Sequence, residues 1–171
     1  MRKFFLTISL IFLAIFSFPT KSFAQLYGEP VKIIIPTVGI NLPVAKARIV
    51  TDTWEVLNNA ASYGENSALP GKSGNTVIFS HAIKTLFGSL PNVAIGTYVY
   101  VQTANNTYTY KITDTTSVHS EDLSILKADK ESALILYTCE GSADERRFTV
   151  RAVLVNVSKS CRLDPLLTKN L

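Results

Sequence analysis

The sequence predicts a single mainly β domain, a closed or nearly closed barrel of about eight strands with two or three short helices. Three observations predict it. From Val31 onward the chain is a succession of short apolar or alternating runs rich in Val, Ile, Thr and Tyr. Gly, Pro, Asn and Asp interrupt those runs at short intervals, and no heptad, internal repeat or low-complexity tract replaces them. The 171 residues, 47% apolar and 10% aromatic, supply one well-packed core but hardly two.

The first 24 residues stand apart. Met1, Arg2 and Lys3 form a basic lead, residues 4–18 are apolar, and Ser22, Phe23 and Ala24 before Gln25 make a small-x-small cleavage pattern, so residues 1–24 read as a signal peptide or N-terminal membrane anchor. The apolar run counts 15 residues, short of the roughly 20 that span a bilayer as a helix, which favours a cleaved signal. The barrel is expected over 25–157 and a C-terminal tail over 158–171, where alternation is lost. Its expected location is the extracytoplasmic face of the cell membrane, or outside the cell.

Within the domain, 31–36 is a β-branched run, 43–53 contains a second strand, and 75–80 is a third after the turn-rich 69–74. Residues 97–103 and 107–113 alternate Tyr, Val and Thr around Ala104, Asn105 and Asn106, whose asparagines tolerate turn conformations, and so make a hairpin. Residues 133–138 and 148–157 are the last pair and flank the loop 139–147. Helices are expected at 54–61, 83–90 and 120–126, each bounded by Asp, Ser, Pro or Gly.

Charge excludes one class of partner. The formal +4 includes Arg2, Lys3 and Lys21, without which 14 bases face 13 acids. The mature domain has no basic stripe for nucleic acid. Two cysteines, Cys139 and Cys161, in an exported chain ordinarily suggest a disulfide.

Placement also allows chemistry at Cys139, with the disulfide reading still open beside it. It directly follows the apolar run 133–138, at the end of a strand where a rigid element meets a loop. The returning strand alternates so that Phe148, Val150, Ala152 and Leu154 take the core face while Arg147, Thr149 and Arg151 take the other, and Arg146 shares the Phe148 face. His81 closes the strand 75–80. A thiol needs a nearby base or cation to become thiolate, and acyl transfer needs a proton donor for the leaving amine and a positive group where oxyanion charge develops. Cys139, His81 and Arg147 supply those groups.

The wording around these residues narrows the reading. Pro70 and Gly71, Gly74 to Ile78 (Gly-Asn-Thr-Val-Ile), Ser80 and His81, Gly96 to Val99 (Gly-Thr-Tyr-Val), Leu136, Tyr137, Thr138 and Cys139, then Arg147, Phe148, Thr149 and Val150, together resemble the sortase family over roughly residues 31–157. The resemblance implies a sortase-type closed β-barrel whose cysteine cleaves a Leu-Pro-x-Thr-Gly-like sorting motif, forms a thioester and passes the acyl group to an amine of the cell envelope or a pilus. It implies His81, Cys139 and Arg147 as catalytic residues, with Thr138 and Ser80 at the substrate. Ser80 stands where many sortases have Gly, and the loop after Cys139 is short and lacks proline, which leaves the subclass open, with classes D, E and F as candidates. Expected partners are a surface-protein sorting peptide, a cell-wall precursor or pilin lysine as amine acceptor, and the membrane if the signal stays uncleaved.

Other residues carry blander readings. Cys161 has no base or matched motif beside it, and His119 lies in a polar stretch expected to be a linker. Arg151 is a barrel-surface charge that could also line a groove, and Trp54, Tyr98, Tyr100, Tyr108 and Tyr110 are most simply packing. The histidines and cysteines show no metal-ligand spacing, and Asp114, Glu121 and Asp122 are a solvated loop before they are a calcium site, so no cofactor is expected. Two rival functions remain: a cysteine peptidase of the same fold that hydrolyses rather than transfers, and an exported, non-catalytic β-barrel binding module with its cysteines paired.

Overall fold

The computed structural model describes residues 27–127, 130–141 and 145–160; the expected signal segment, Cys161 and the rest of the tail beyond Ser160 lie outside the described residues. The strands are β1 (Lys32–Ile35), β2 (Ile40–Ala47), β3 (Ile49–Val50), β4 (Thr53–Trp54), β5 (Ala61–Gly64), β6 (Gly74–Phe79), β7 (Tyr98–Gln102), β8 (Asn106–His119), β9 (Ser132–Glu140) and β10 (Arg146–Lys159). Eight of them close into a barrel in the order β1-β2-β5-β6-β9-β10-β8-β7, and β3 pairs with β4 as a separate hairpin. This is the mainly β barrel that the alternation predicts. Among the described residues no helix is long and apolar enough to cross a membrane.

Period two decides what lies inside. Ile33 and Ile35 of β1, Val99 and Val101 of β7, and Tyr108, Tyr110 and Ile112 of β8 point into the barrel, where they meet Leu134 and Leu136 of β9 and Val150 and Ala152 of β10. Each such aliphatic side chain contributes about 1.5–3 kcal/mol by leaving water. Burial also raises the Tyr110 phenol pKa, and its hydroxyl accepts a hydrogen bond from Gly71 N at 3.1 Å. A second, smaller cluster lies on the outer face: Ala47, Val77, Phe79 and Ile135, with Trp54, Leu126 and Tyr137 packed on it.

Several expectations are corrected. Residues 54–61 form no helix; Thr53–Trp54 belongs to the β3–β4 hairpin and Ala61–Gly64 is β5, buried throughout between β2 and β6. A four-residue strand of Ala, Ser, Tyr and Gly buried on both sides has no alternation to read, so pairing decides it. The helices expected at 83–90 and 120–126 contract to 3-10 turns at Phe87–Asn92 and Leu123–Leu126, and a third covers Pro36–Val38. His119 is not in a linker but ends β8, opposite Arg146. β10 runs on through Ser158 and Lys159, two residues expected in the tail, because their backbones pair with Thr107 and Asn106 whatever their side chains. Bulges at Arg151/Ala152 and Leu154/Asn156 let this long pair of strands bend around the barrel.

Candidate active site

Three adjacent strands meet at one rim. β6 and β9 are parallel, so their C-terminal ends emerge together, and β10 starts there running the other way. Arg147 is the direct cross-strand partner of Cys139, and Phe79 that of Tyr137. The ladder continues past Phe79: Ser80 N donates to Tyr137 O at 3.3 Å, and Thr138 Oγ1 donates to Ser80 O at 2.8 Å. Carried one step further, the register sets position 81 level with Cys139, on a strand about 4.8 Å away.

Alternation settles the face. Ile78, Leu134, Leu136 and Val150 point inward, so Val77, Phe79, Ile135 and Tyr137 form the outer cluster, and Cys139 and Arg147 follow the outward parity. His81 has the parity of Phe79. It is half-buried, and its Nε2 is buried with no hydrogen-bond partner among the described residues. Cys139 is half-buried, and Cys161, the other half of the pairing that two cysteines first suggest, lies outside the described residues.

Cys139 and Arg147 stand at one end of a groove of about 800 Å³ on the outer face, which Ser80 lines and His81 does not. Val77, Phe79 and Tyr137 line its floor; Ile49, Trp54 and Val56 line one wall and Leu123, Ile125 and Leu126 the other; Cys139 and Arg147 close the end. The floor is ordered by an aromatic stack in which Trp54 lies 5.6 Å from Phe79 and Phe79 lies 4.8 Å from Tyr137, centroid to centroid, with interplanar angles of 23° and 5°. Burial pushes the Tyr137 phenol far up, against the pull of the Arg147 charge and with the help of Cys139, so Tyr137 stays neutral beside both.

Other expected site residues fall elsewhere. Ser80 lines the groove but is buried, and its Oγ reaches Ala60 O at 3.4 Å. Thr138 faces the interior, where its hydroxyl ties the end of β9 to the end of β6, so it positions the rim rather than lining the groove. Arg146 lies on the side opposite Arg147 and binds Ser117 through Nε to Oγ at 2.8 Å and through Nη2 to O at 2.7 Å. Arg151 lines a separate, smaller pocket with Asp114 and Thr149, not the groove.

Sequence reading missed two glycines and one aromatic. A Cβ on Gly64 would lie 2.8 Å from the Trp54 ring, so Gly64 leaves the space in which Trp54 sits while its Nε1 donates to Glu65 O at 3.0 Å. A Cβ on Gly88 would lie 2.7 Å from the Ile83 backbone, inside the tight turn in which Phe87 N donates to His81 O at 3.0 Å. Trp54 itself, expected as packing, is a groove wall.

Comparison with known proteins matches the chain to one family. Residues 33–155 match the family profile described as Sortase domain. Sortase A of Listeria monocytogenes is 28% identical over 131 residues, covering 74% of this chain and 57% of that protein. Sortase A of Streptococcus agalactiae is 30% identical over 145 residues, covering 80% and 57%. The chain thus spans under two thirds of the length of these relatives. Among solved structures, sortase A from Corynebacterium diphtheriae is similar with a TM-score of 0.66 at 29% identity, covering 81% of this chain and 63% of that one. Listeria monocytogenes sortase A gives 0.69 at 24% identity, covering 79% and 93%, a likeness of fold.

Proposed function

The chain belongs to the sortase family, and on that premise we propose that it is a cysteine transpeptidase acting on exported proteins at the extracytoplasmic face of the membrane. The observation that carries the proposal is the register pairing Cys139 with Arg147 at the end of the groove, beside β6, whose parallel course leads to position 81.

In this reading the Cys139 thiolate attacks the scissile carbonyl of a Leu-Pro-x-Thr-Gly-like sorting peptide, and the Arg147 guanidinium faces the oxygen as negative charge develops. His81, as imidazolium, gives its proton to the departing amine as the C–N bond breaks, leaving a thioester. An incoming amine of a cell-wall precursor or a pilin lysine then attacks the thioester and loses a proton to His81, and Cys139 departs as thiolate. Transfer prevails over hydrolysis where the amine outcompetes water at the thioester.

Incubating the protein with a fluorogenic Leu-Pro-Glu-Thr-Gly peptide and a panel of amines, with products identified by mass spectrometry, tests the proposal. A new amide whose formation depends on the amine is expected. Free acid as the only product would replace the transferase with a hydrolase, and no acyl-enzyme at Cys139 would overturn the mechanism.

A further inference from the structure

The end of the groove away from Cys139 takes no part in acyl transfer, yet it has a distinct chemistry. Asn75, the second residue of β6, lies six positions before His81, or about 20 Å along an extended strand. It lines the groove and is only 8% exposed. Its Nδ2 donates to Lys127 O at 2.7 Å, but its buried Oδ1 has no partner among the described residues. Exchanging the amide's O and N would not help, since it would set an acceptor against the Lys127 carbonyl. A buried acceptor in that state calls for a donor.

Charge along the groove is one-sided, although Asn75 also borders the smaller pocket lined by Asp114, Lys127 and Arg151. Asp52, Glu65 and Asp122 line the groove, whereas Arg147, at the catalytic end, is its one lining cation among the described residues. Glu65 and Asn75 line the same groove, and after the turn that follows Gly64 the chain returns to β6, where Ala68 N donates to Asn75 O at 2.9 Å. Glu65 Oε2 accepts from Ile49 N at 3.2 Å, which holds the carboxylate on the groove wall, and it has no ion-pair partner among the described residues; nearby Lys46 is bound to Glu29 at 2.9 Å.

Which part of a substrate reaches this end follows from the two-step chemistry. The leaving segment must depart to admit the amine, so the part held along the groove is the acyl segment, N-terminal to the scissile bond. Resting on the transpeptidase reading, we propose that Glu65 and Asn75 form a subsite for a basic residue, Lys or Arg, about five to seven positions N-terminal to the scissile bond. Its cation faces the Glu65 carboxylate, and an N–H of that residue or its backbone donates to Asn75 Oδ1.

The test uses the full chain and peptides containing Leu-Pro-Glu-Thr-Gly that carry Lys, Gln or Glu six positions before the scissile bond. Affinity is measured by fluorescence anisotropy on the Cys139→Ala variant, and kcat/KM on the parent. The Lys peptide should bind about threefold to tenfold more tightly than the Glu peptide at roughly 50 mM salt, with the gap closing near 1 M. Glu65→Gln, which keeps an acceptor for Ile49 N, should abolish the preference, and Glu29→Gln should not. Equal affinities, or a preference untouched by Glu65→Gln, overturn the subsite. If the parent processes all peptides equally, the transpeptidase reading stands and the subsite falls; if it processes none while the Lys preference in binding persists, the reverse holds.

Discussion

Gly64→Ala tests whether the groove wall is built as described, because a single methyl group is directed at the Trp54 ring. The new Cβ would lie 2.8 Å from Cε2 and Cζ2 and 3.0 Å from Cη2, whereas unstrained carbon contacts sit at about 3.5–4.0 Å. Trp54 must therefore retreat by about 1 Å, and the movement is opposed by its Nε1 hydrogen bond to Glu65 O at 3.0 Å and its stack on Phe79 at 5.6 Å. Weakening a hydrogen bond worth about 0.5–1.5 kcal/mol and a ring pair worth about as much puts the cost at about 1–3 kcal/mol, the range of overpacked sites. Trp54 is the chain's single tryptophan, so its emission reports the displacement directly, and a red shift with a raised KM for sorting peptide is expected. In a Trp54→Ala background the three nearest atoms to the methyl group are gone, and the destabilisation by Gly64→Ala should largely vanish. Unchanged emission and stability in Gly64→Ala, or an equal cost in both backgrounds, would refute the packing argument.

The remaining predictions concern the rim. Cys139→Ala should abolish acyl-enzyme formation, read by mass spectrometry, while thermal stability stays near that of the parent, since the thiol is half-buried and contributes little core volume. His81→Ala should lower kcat/KM by about 10² or more, whereas His119→Ala, on the face shared with Arg146, should leave it within a few-fold. Arg147→Lys should lose about 10² or more in rate, close to Arg147→Ala, because an ammonium does not reproduce the forked guanidinium donors; Arg146→Lys should keep the rate and lose only the Ser117 contacts, about 1 kcal/mol in a denaturation curve.

Much of this fold was legible where alternation has a consequence for burial. The parity of Phe148, Val150, Ala152 and Leu154 put Arg147 on the outer face before any coordinates, and all four apolar residues belong to the barrel core or pack against it. What could not be read depends on partners distant in sequence. β5 is four buried residues defined by parallel pairing to β2 and antiparallel pairing to β6, so its own composition says little. Gly64 and Gly88 look like loop residues until the Trp54 ring and the Ile83 backbone are brought against them. Thr138 was expected at the substrate from the family resemblance, but as the strand neighbour of Cys139 it takes the opposite face, and its hydroxyl turns inward to Ser80 O.

The same parity explains why the site needs so little side-chain freedom. Cys139 is flanked by a backbone-paired strand on either side, so its distance to Arg147 is set by the ladder rather than by long rotamers. A slip of one residue along β10 would exchange Arg147 for Arg146 at the thiol. Two sets of contacts oppose it. One is the burial of Val150 and Ala152, which a slip would turn outward. The other is polar and lies on the opposite face, where Arg146 grips Ser117 of β8 through its Nε and Nη2 while Ser117 Oγ also bonds the carboxylate of Glu140, the cross-strand partner of Arg146 on β9. Arg146 thus adds to the hold that the burial of Val150 and Ala152 already gives the register, from the face away from Cys139, which is how two neighbouring arginines can have different work: one braces the strand, and the other faces the thiol.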